Sequence, residues 1–403
     1  DLEVPGLHVS RDRSSPNPLS PLRLTFLGCL ESCGHSFIQR TRLLALFPTL
    51  NRRLFFGLRL TYPSKWSPPP PKKTITIGTR KSKLALLQTH MVLDALKKAF
   101  PQYEYKVFSK ETAGDLNTTI ALRDFTTKNL WTEELEELMI DGQVDVIVHS
   151  LKDVPTTLPS SCKLGPSMPR EDSRDVLVVK QGLPYKSLSE IPAGSVVGTS
   201  SIRRTAQLAR KYPHLKVQDV RGNIGTRLSK LDAEDSPYTC VILAAAGLLR
   251  LDLADRITQY LDSKNSGMLY AVGQGALGIE IRKEDTHLQA MLDTIGHQDT
   301  TFSVLAERSL LRTLEGGCSA PLGVETEWIQ NAQGSKQLRM RSVVVSVDGK
   351  ECAQVELEAD VNSAESAEAF GITVAKALVA DGAGGILEVI QQNKTKESVS
   401  TAV

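Results

Sequence analysis

From Thr74 onward the chain repeats one pattern. A short apolar, β-branched run is followed by a turn rich in Gly, Thr and Ser, and then by a stretch with apolar residues every three or four positions. Thr74 to Ile77 leads into Ser82 to Phe100, and Ser195 to Val197 leads into Ser201 to Tyr212. Val144 to His149 reads as a strand, and Val241 to Ala244 leads through Gly247 into a short helix. Such alternation predicts an α/β fold, with a largely parallel sheet covered by helices on both faces. Ligands of such sheets bind at the carboxyl ends of the strands, where the turns lie.

Two stretches depart from this pattern. Gln337 to Ser346 and Glu351 to Val361 alternate apolar and polar residues around Asp348-Gly349, which predicts a hairpin, and Ala364 to Ala380 follows with helical spacing. The C-terminal part therefore reads as a small α+β domain. Residues 1–73 hold half of the 20 prolines and 11 Lys or Arg against four acidic residues. The stretch from Phe37 to Leu60 is Arg-rich, apolar and free of acid, a composition that resembles a transit peptide, with a disordered extension or translated upstream sequence as the alternatives.

Composition narrows the function. A chain of 403 residues with 41% hydrophobic and 23% charged residues is globular and long enough for two or three domains. Its longest apolar run, Cys240 to Leu249, is too short to cross a bilayer, so no membrane is expected. The six cysteines are scattered, which fits a reducing compartment and indicates neither a disulfide framework nor a zinc ribbon, and no metal is expected. Net charge is +2 and aromatic residues are 5%, so the basic turns lack the aromatic partners of a nucleic-acid surface, and no nucleic acid is expected.

The positions of the positive charges carry more information. Arg80 and Lys81 follow the first strand; Arg203 and Arg204 follow Gly198-Thr199-Ser200-Ser201 in the first turn of a helix. Cations there oppose the helix dipole by roughly 0.3–1 kcal/mol each, a cost that an anionic ligand reverses. Arg221 and Arg227 in VRGNIGTRL, and Arg250 after AAAGLL, repeat the arrangement, so four basic turns point to a ligand with many negative groups. Gly273 to Gly278 spells GxGxxG, but no strand clearly precedes it and no ribose-binding acid follows, so it reads as a crossing between domains.

Two further residues look chemical. In the run from Val144 to Pro155 the apolar strand stops at His149, and Pro155 ends any regular element, which leaves Lys152 and Asp153 at a strand end. A surface ion pair is the plain reading; beside several arginines, a carboxylate in a cleft can instead stabilise a developing cation or move a proton. Cys318, bracketed by Gly316-Gly317 and Ser319, lies on a loop where it is accessible and able to carry a covalent group, whereas Cys240 lies in an apolar strand and reads as inert.

Taken together, GTRKSKLALLQT (78–89), TAGD (112–115), HSLKDVPT (149–156), VVGTSSIRRTAQL (196–208), VRGNIGTRLSKLD (220–232), AVGQGALGIEIR (271–282) and LEGGCSAP (314–321) resemble the porphobilinogen deaminase family. The resemblance runs in order over nearly all of residues 74–390. It implies two periplasmic-binding-protein-like domains around a cleft and a small α+β C-terminal domain. On this chain that gives residues 74–170 with 273–297 as domain 1, 171–272 as domain 2 and 298–395 as domain 3. The implied enzyme is a transferase of heme biosynthesis that condenses four porphobilinogen molecules head to tail, releasing ammonia each time, to give linear hydroxymethylbilane. The implied cofactor is dipyrromethane, held by a thioether to Cys318.

The resemblance also assigns roles. Each pyrrole carries an acetate and a propionate, so the growing chain needs guanidinium anchors, each charged hydrogen bond contributing about 1.5–3 kcal/mol. Arg80, Arg203, Arg204, Arg221, Arg227 and Arg250 match the family's anchors, helped by Lys81, Ser82, Gln88, Lys152, Thr199 and Ser200, with Asn223, Gln274 and Gly275 also at the site. The position of Asp153 is the one the family assigns to stabilising the azafulvene cation and handling its proton. Two departures concern the mouth of the cleft: Glu133 stands at a customary Lys, and Asp124 to Asn129 lacks its glycine. An anion-binding protein with the same cleft, or a thiol-dependent transferase using Cys318 transiently, are the rival readings. The resemblance implies a monomer in the cytoplasm, with organelle targeting through residues 1–73 as the alternative.

Overall fold

The computed structural model describes residues 74–111, 132–314 and 320–400. The expectations for residues 1–73, for TAGD, for Asp124 to Asn129 and for Cys318 lie outside the described residues. Along the chain run β1 (Thr74–Arg80), α1 (Lys83–Ala99), β2 (Glu104–Lys110), α2 (Glu133–Ile140), β3 (Val146–Ser150) and β4 (Cys162–Leu164). There follow β5 (Asp175–Val179), β6 (Val196–Gly198), α3 (Ile202–Lys211), β7 (Lys216–Gln218), α4 (Ile224–Asp232), β8 (Cys240–Ala244), α5 (Ala245–Arg250) and β9 (Gln259–Leu261). The remainder is β10 (Leu277–Arg282), α6 (Thr286–Ile295), α7 (Gln298–Thr313), β11 (Leu322–Gln330), β12 (Lys336–Val345), β13 (Cys352–Ala359), α8 (Ala364–Leu378) and α9 (Gly384–Ser400).

Local sequence accounts for the elements that shape the site. In β1, Ile75 and Ile77 alternate inward, and the strand stops where Arg80 and Lys81 meet water. Ser82 then caps α1, its hydroxyl accepting from the Ala85 amide at 3.3 Å. The helix buries Ala85, Gln88, Thr89, Val92, Leu93 and Leu96, spaced three or four apart, and Pro101 follows its end. Val92, Leu93 and Leu96 pack on Ile75, Ile77, Val146 and Val148 from the sheet, joined by Leu288, Met291 and Leu292 of α6. Each large side chain so buried contributes roughly 1.5–3 kcal/mol.

Two five-stranded sheets share one topology. Their strand orders are β2-β1-β3-β10-β4 and β7-β6-β8-β5-β9. Each sheet thus places its own strands 2-1-3 and 4 around one inserted strand, β10 in the first and β5 in the second. Four strands in each sheet run the same way, as the pattern predicted, and the inserted one is antiparallel to both neighbours. The reversal has a simple cause: the inserted strand arrives from the other sheet and not through a βαβ crossover. This pair of halves is the periplasmic-binding-protein-like arrangement expected above.

The two crossing segments, residues 165–174 and 262–276, are tied together. Glu171 N donates to Gly275 O at 3.2 Å, and Arg170 Nε donates to Gln274 O at 2.8 Å. A side chain at Gly275, whose φ is +85°, would run into the backbone of Glu171 and Ser173, so glycine is required there. Arg170 also forks onto the buried carboxylate of Glu307, at 2.7 and 3.0 Å, which anchors the crossing to α7. The third part is the antiparallel sheet β11-β12-β13, with the expected hairpin at Asp348-Gly349. The run Ala364–Asn393 is long and apolar enough to cross a membrane by length and composition, but its Ala367, Phe370, Val374, Ala375 and Leu378 are buried in the core with β11 and β12.

Candidate active site: a cationic cleft at the strand ends

A cleft of about 810 Å³ opens where the carboxyl ends of β1 and β3 face that of β8 and the amino-terminal turns of α1 and α4. Among the described residues, eight basic side chains line it against a single acid, Asp153. Of the residues picked out in the sequence, the structure gathers Arg80, Ser82, Gln88, Lys152, Asp153, Arg204, Arg221, Asn223, Arg227, Arg250, Gln274 and Gly275 on its walls. They come from both sheets and from the crossing segment, so no short stretch of sequence contains the site.

Lys152 and Asp153 sit on a single 3-10 turn, Leu151–Asp153, directly after β3. Arg80 Nη1 lies 4.0 Å from Asp153 Oδ2. Lys152 Nζ donates to Gln274 Oε1 at 3.4 Å. Burial pushes the pKa of Lys152 down to about 8; Asp153 opposes the shift and Arg204 adds to it. Gln88 Nε2 donates to Ser150 Oγ at 2.9 Å and so ties α1 to the end of β3. Ser150 was not singled out in the sequence, where a serine after an apolar strand has no distinguishing mark.

The arginines are held in different ways. Arg227 Nε donates to Gly222 O, and Arg250 Nη2 to Gly275 O, each at 2.7 Å. Arg227 is pushed down to about 10 by burial and by the neighbouring cations of Arg204 and Arg221. Arg250 is also lowered by burial, with Glu171 opposing. Arg221 Nη1 and Arg250 Nε are buried without a hydrogen-bond partner. A buried donor left so costs roughly 1–3 kcal/mol, a charged one more, so these atoms fit a site that receives acceptors from a ligand.

Four predicted residues are placed elsewhere. Arg203 is off the cleft wall, in a buried ion pair with Asp175 at 2.8 Å, and it also donates to Leu269 O. Asp175 receives Arg204 too, at 2.6 and 3.1 Å, and Gln274 Nε2 at 2.8 Å. Burial raises the pKa of Asp175, but the two guanidiniums outweigh this and hold it well below the usual carboxylate range. Its position as the acid opening the apolar run DVLVV was the available sign of a buried hub. Thr199 is buried and accepts from Ser201 N at 3.2 Å, Ser200 donates to Val220 O at 3.0 Å, and exposed Lys81 pairs with Glu111 at 3.7 Å. Lys83 and Lys230, which the sequence reading passed over, line the cleft. Glu133 sits exposed in the first turn of α2, where the helix dipole favours an acid.

Comparison with known proteins agrees with this geometry. Residues 75–290 match the family model for the porphobilinogen deaminase dipyromethane cofactor binding domain, and residues 301–380 match that for the porphobilinogen deaminase C-terminal domain. The chain is 51% identical over 327 residues to porphobilinogen deaminase of Yarrowia lipolytica, covering 80% of this chain and 95% of that protein. It is 48% identical over 329 residues to the enzyme of that name from Saccharomyces cerevisiae, covering 80% and 99%. Among solved structures it is similar to the periplasmic VFT2 domain of Bordetella pertussis BvgS, at 14% identity and a TM-score of 0.34, covering 58% of this chain and 92% of that one. That score is too low to support an argument, and the fold rests on the strand order.

Proposed function

The chain belongs to the porphobilinogen deaminase family, and from that premise we propose how its cleft carries out the stepwise condensation of four porphobilinogen molecules to hydroxymethylbilane. One observation supports the reading above the others: among the described residues, eight basic side chains and one carboxylate face a single cleft. A substrate that brings two carboxylates per unit needs such a surface, and a reaction that passes through a cation needs one acid and few competitors.

The dipyrromethane cofactor fits the residues present. Arg221 and Arg250 hold buried guanidinium donors without partners, which its acetate and propionate groups satisfy. When bound, the cofactor supplies a pyrrole carbon as the nucleophile that starts the chain. We assign its attachment to Cys318 through a thioether, on the strength of the LEGGCSAP motif.

Asp153 stabilises the positive charge that develops on the substrate as ammonia leaves, and it takes the proton that the reacting carbon gives up. Arg80 faces that carboxylate from 4.0 Å. Arg227, Lys152 and Arg204 line the cleft around it and bind substrate carboxylates. Arg203, with Asp175, holds Arg204 in place and contributes to binding only through it. Thr199 and Ser200 bond within the turns that carry the site, and Lys81 pairs with Glu111.

By reaction type the protein is a transferase. We assign residues 74–170 with 273–297, 171–272 and 298–395 to its three domains, and we place it in the cytoplasm as a monomer acting without metal, nucleic acid or membrane. Buried thiols at Cys162 and Cys240 accord with a reducing compartment.

Intact mass of the denatured protein, compared with Cys318→Ser and repeated after incubation with porphobilinogen, tests the reading. A stable adduct of two pyrrole units on the wild type, absent from the variant and growing in pyrrole steps, is the expected result. A bare mass that stays bare with substrate overturns it and points to an inactive relative or an anion-binding protein.

A further inference from the structure

Among the described residues, eight buried side-chain atoms lack a hydrogen-bond partner, and five of them belong to one cluster: Thr132 Oγ1, Glu136 Oε1, His149 Nε2 and both carboxylate oxygens of Glu280. Strand register explains why they meet. On the β3–β10 ladder His149 pairs with Gly278 and Ile147 with Glu280, so His149 and Glu280 are diagonal neighbours on one face of the sheet. Leu135 and Met139 of α2 cover that face through Ile147 and Cys162, and the same helix buries Glu136. His149 Nε2 lies 3.4 Å from Glu280 Oε2 without hydrogen-bond alignment, and their side chains are 3% and 0% exposed.

Two carboxylates and an imidazole in a dry interior are costly if each keeps its ordinary charge. Sharing protons removes the conflict. The Glu136 carboxyl is raised above its usual range, first by burial and then by the charge of Glu280, with Thr132 and His149 opposing. The other groups on this face do not neutralise the acids. Glu133 of α2 adds a like charge. Cys162 of β4 is pushed up to about 11, so its thiol stays protonated. Arg282, two residues beyond Glu280 on β10, is committed to Asp145, Asp285 and the carbonyls of Met139 and Val144.

The cluster adjoins the chemistry. His149 is followed by Ser150, which bonds Gln88, and by Leu151, whose amide donates to Ala276 O at 3.0 Å; Lys152 and Asp153 complete the same turn. We propose that Glu136, His149 and Glu280 form a buried proton-sharing brace that sets the end of β3, making them positioning residues for Asp153. The proposal rests on Asp153 being the reactive carboxylate. A group whose pKa is raised on folding contributes stability that is full in acid and lost as pH rises through the raised value. On losing the shared proton the acids repel, α2 and β3 loosen, and turnover falls while the cleft cations still bind substrate.

The test uses full-length protein, with thermal unfolding and separate kcat and KM values for porphobilinogen measured from about pH 4, near the ordinary carboxyl value, to about pH 9. Glu136→Gln, a stand-in for the protonated acid, is expected to flatten the fall of the unfolding midpoint with pH. It should also lessen the fall of kcat as pH rises, with KM unchanged. Glu280→Gln is expected to act in the same direction. Wild-type pH dependence of both readouts in these variants, or variants unfolded across the whole range, overturns the brace. Asp153→Asn serves as the control. If it retains full turnover the assignment of Asp153 fails, and the thermal titration of Glu136→Gln still judges the brace.

Discussion

The guanidinium of Arg308 donates to the carbonyl oxygen of Pro155 at 2.6 Å, and its other amino group donates to Val154 O at 3.0 Å. Both carbonyls directly follow Asp153, and Arg308 lies on α7, the helix after which residues 315–319 carry Cys318. One buried side chain therefore couples the helix leading to Cys318 to the turn bearing Asp153. Arg308→Ala leaves two buried carbonyls unpaired, which is expected to cost about 1–3 kcal/mol in denaturant unfolding and to lower turnover. Arg308→Lys keeps the charge but not the fork, so it should fall between. Unaltered turnover in Arg308→Ala would show that the two regions are not coupled through this contact.

Replacing Asp153 by Asn keeps the shape of the side chain but removes its charge and its ability to take a proton. Turnover is expected to fall by about 10²-fold or more, with the thermal midpoint little changed, because the residue lies at the cleft and not in a core. Steady-state kinetics beside a melting curve decides it. Near-normal turnover removes Asp153 from the mechanism.

Much of this arrangement could be read from single-sequence patterns, and the gaps have physical causes. The starts of α1 and α3, the hairpin at Asp348-Gly349 and the basic turns followed from periodicity, caps and charge. The reversed direction of β10 did not, since LGIEIR has the same alternation read either way and only the crossing of the chain decides its sense. Adjacent arginines at a helix start looked like twin anchors, yet a helix turns about 100° per residue. Arg203 therefore reaches Leu269 O while Arg204 borders the cleft, and their shared partner Asp175 lies 28 and 29 residues earlier. His149 and Glu280 are 131 positions apart in the sequence, so their meeting depends on register alone.

Lys152 gives the cleft a pH dependence of its own. Its pKa of about 8, below the ordinary 10.5, means that the free cleft loses this charge as the solution becomes alkaline. Bound carboxylates favour the charged form, so KM for porphobilinogen should rise above about pH 8. For stability the sign is opposite: a depressed pKa contributes stability above the unfolded value, lost as pH falls through about 8. Lys152→Arg keeps its charge throughout this range and should move the rise in KM to higher pH. A KM profile identical to wild type in that variant would assign the alkaline limb to another group.

Arg221 separates stability from binding. Its buried Nη1 has no partner, a cost carried by the fold for the sake of a ligand. Arg221→Met keeps the length of the apolar stem while deleting the orphaned donor. In a Cys318→Ser background the unfolding midpoint is expected to stay level or rise. With Cys318 intact, KM is expected to increase by roughly tenfold or more, the loss of one charged hydrogen bond of about 1.5–3 kcal/mol. A lowered midpoint with an unchanged KM would identify Arg221 as a strut for its own loop. In that case the unpartnered nitrogen would not be an anchor for substrate carboxylates, and Arg250, whose Nε is orphaned on the same cleft wall, would be the remaining one of its kind.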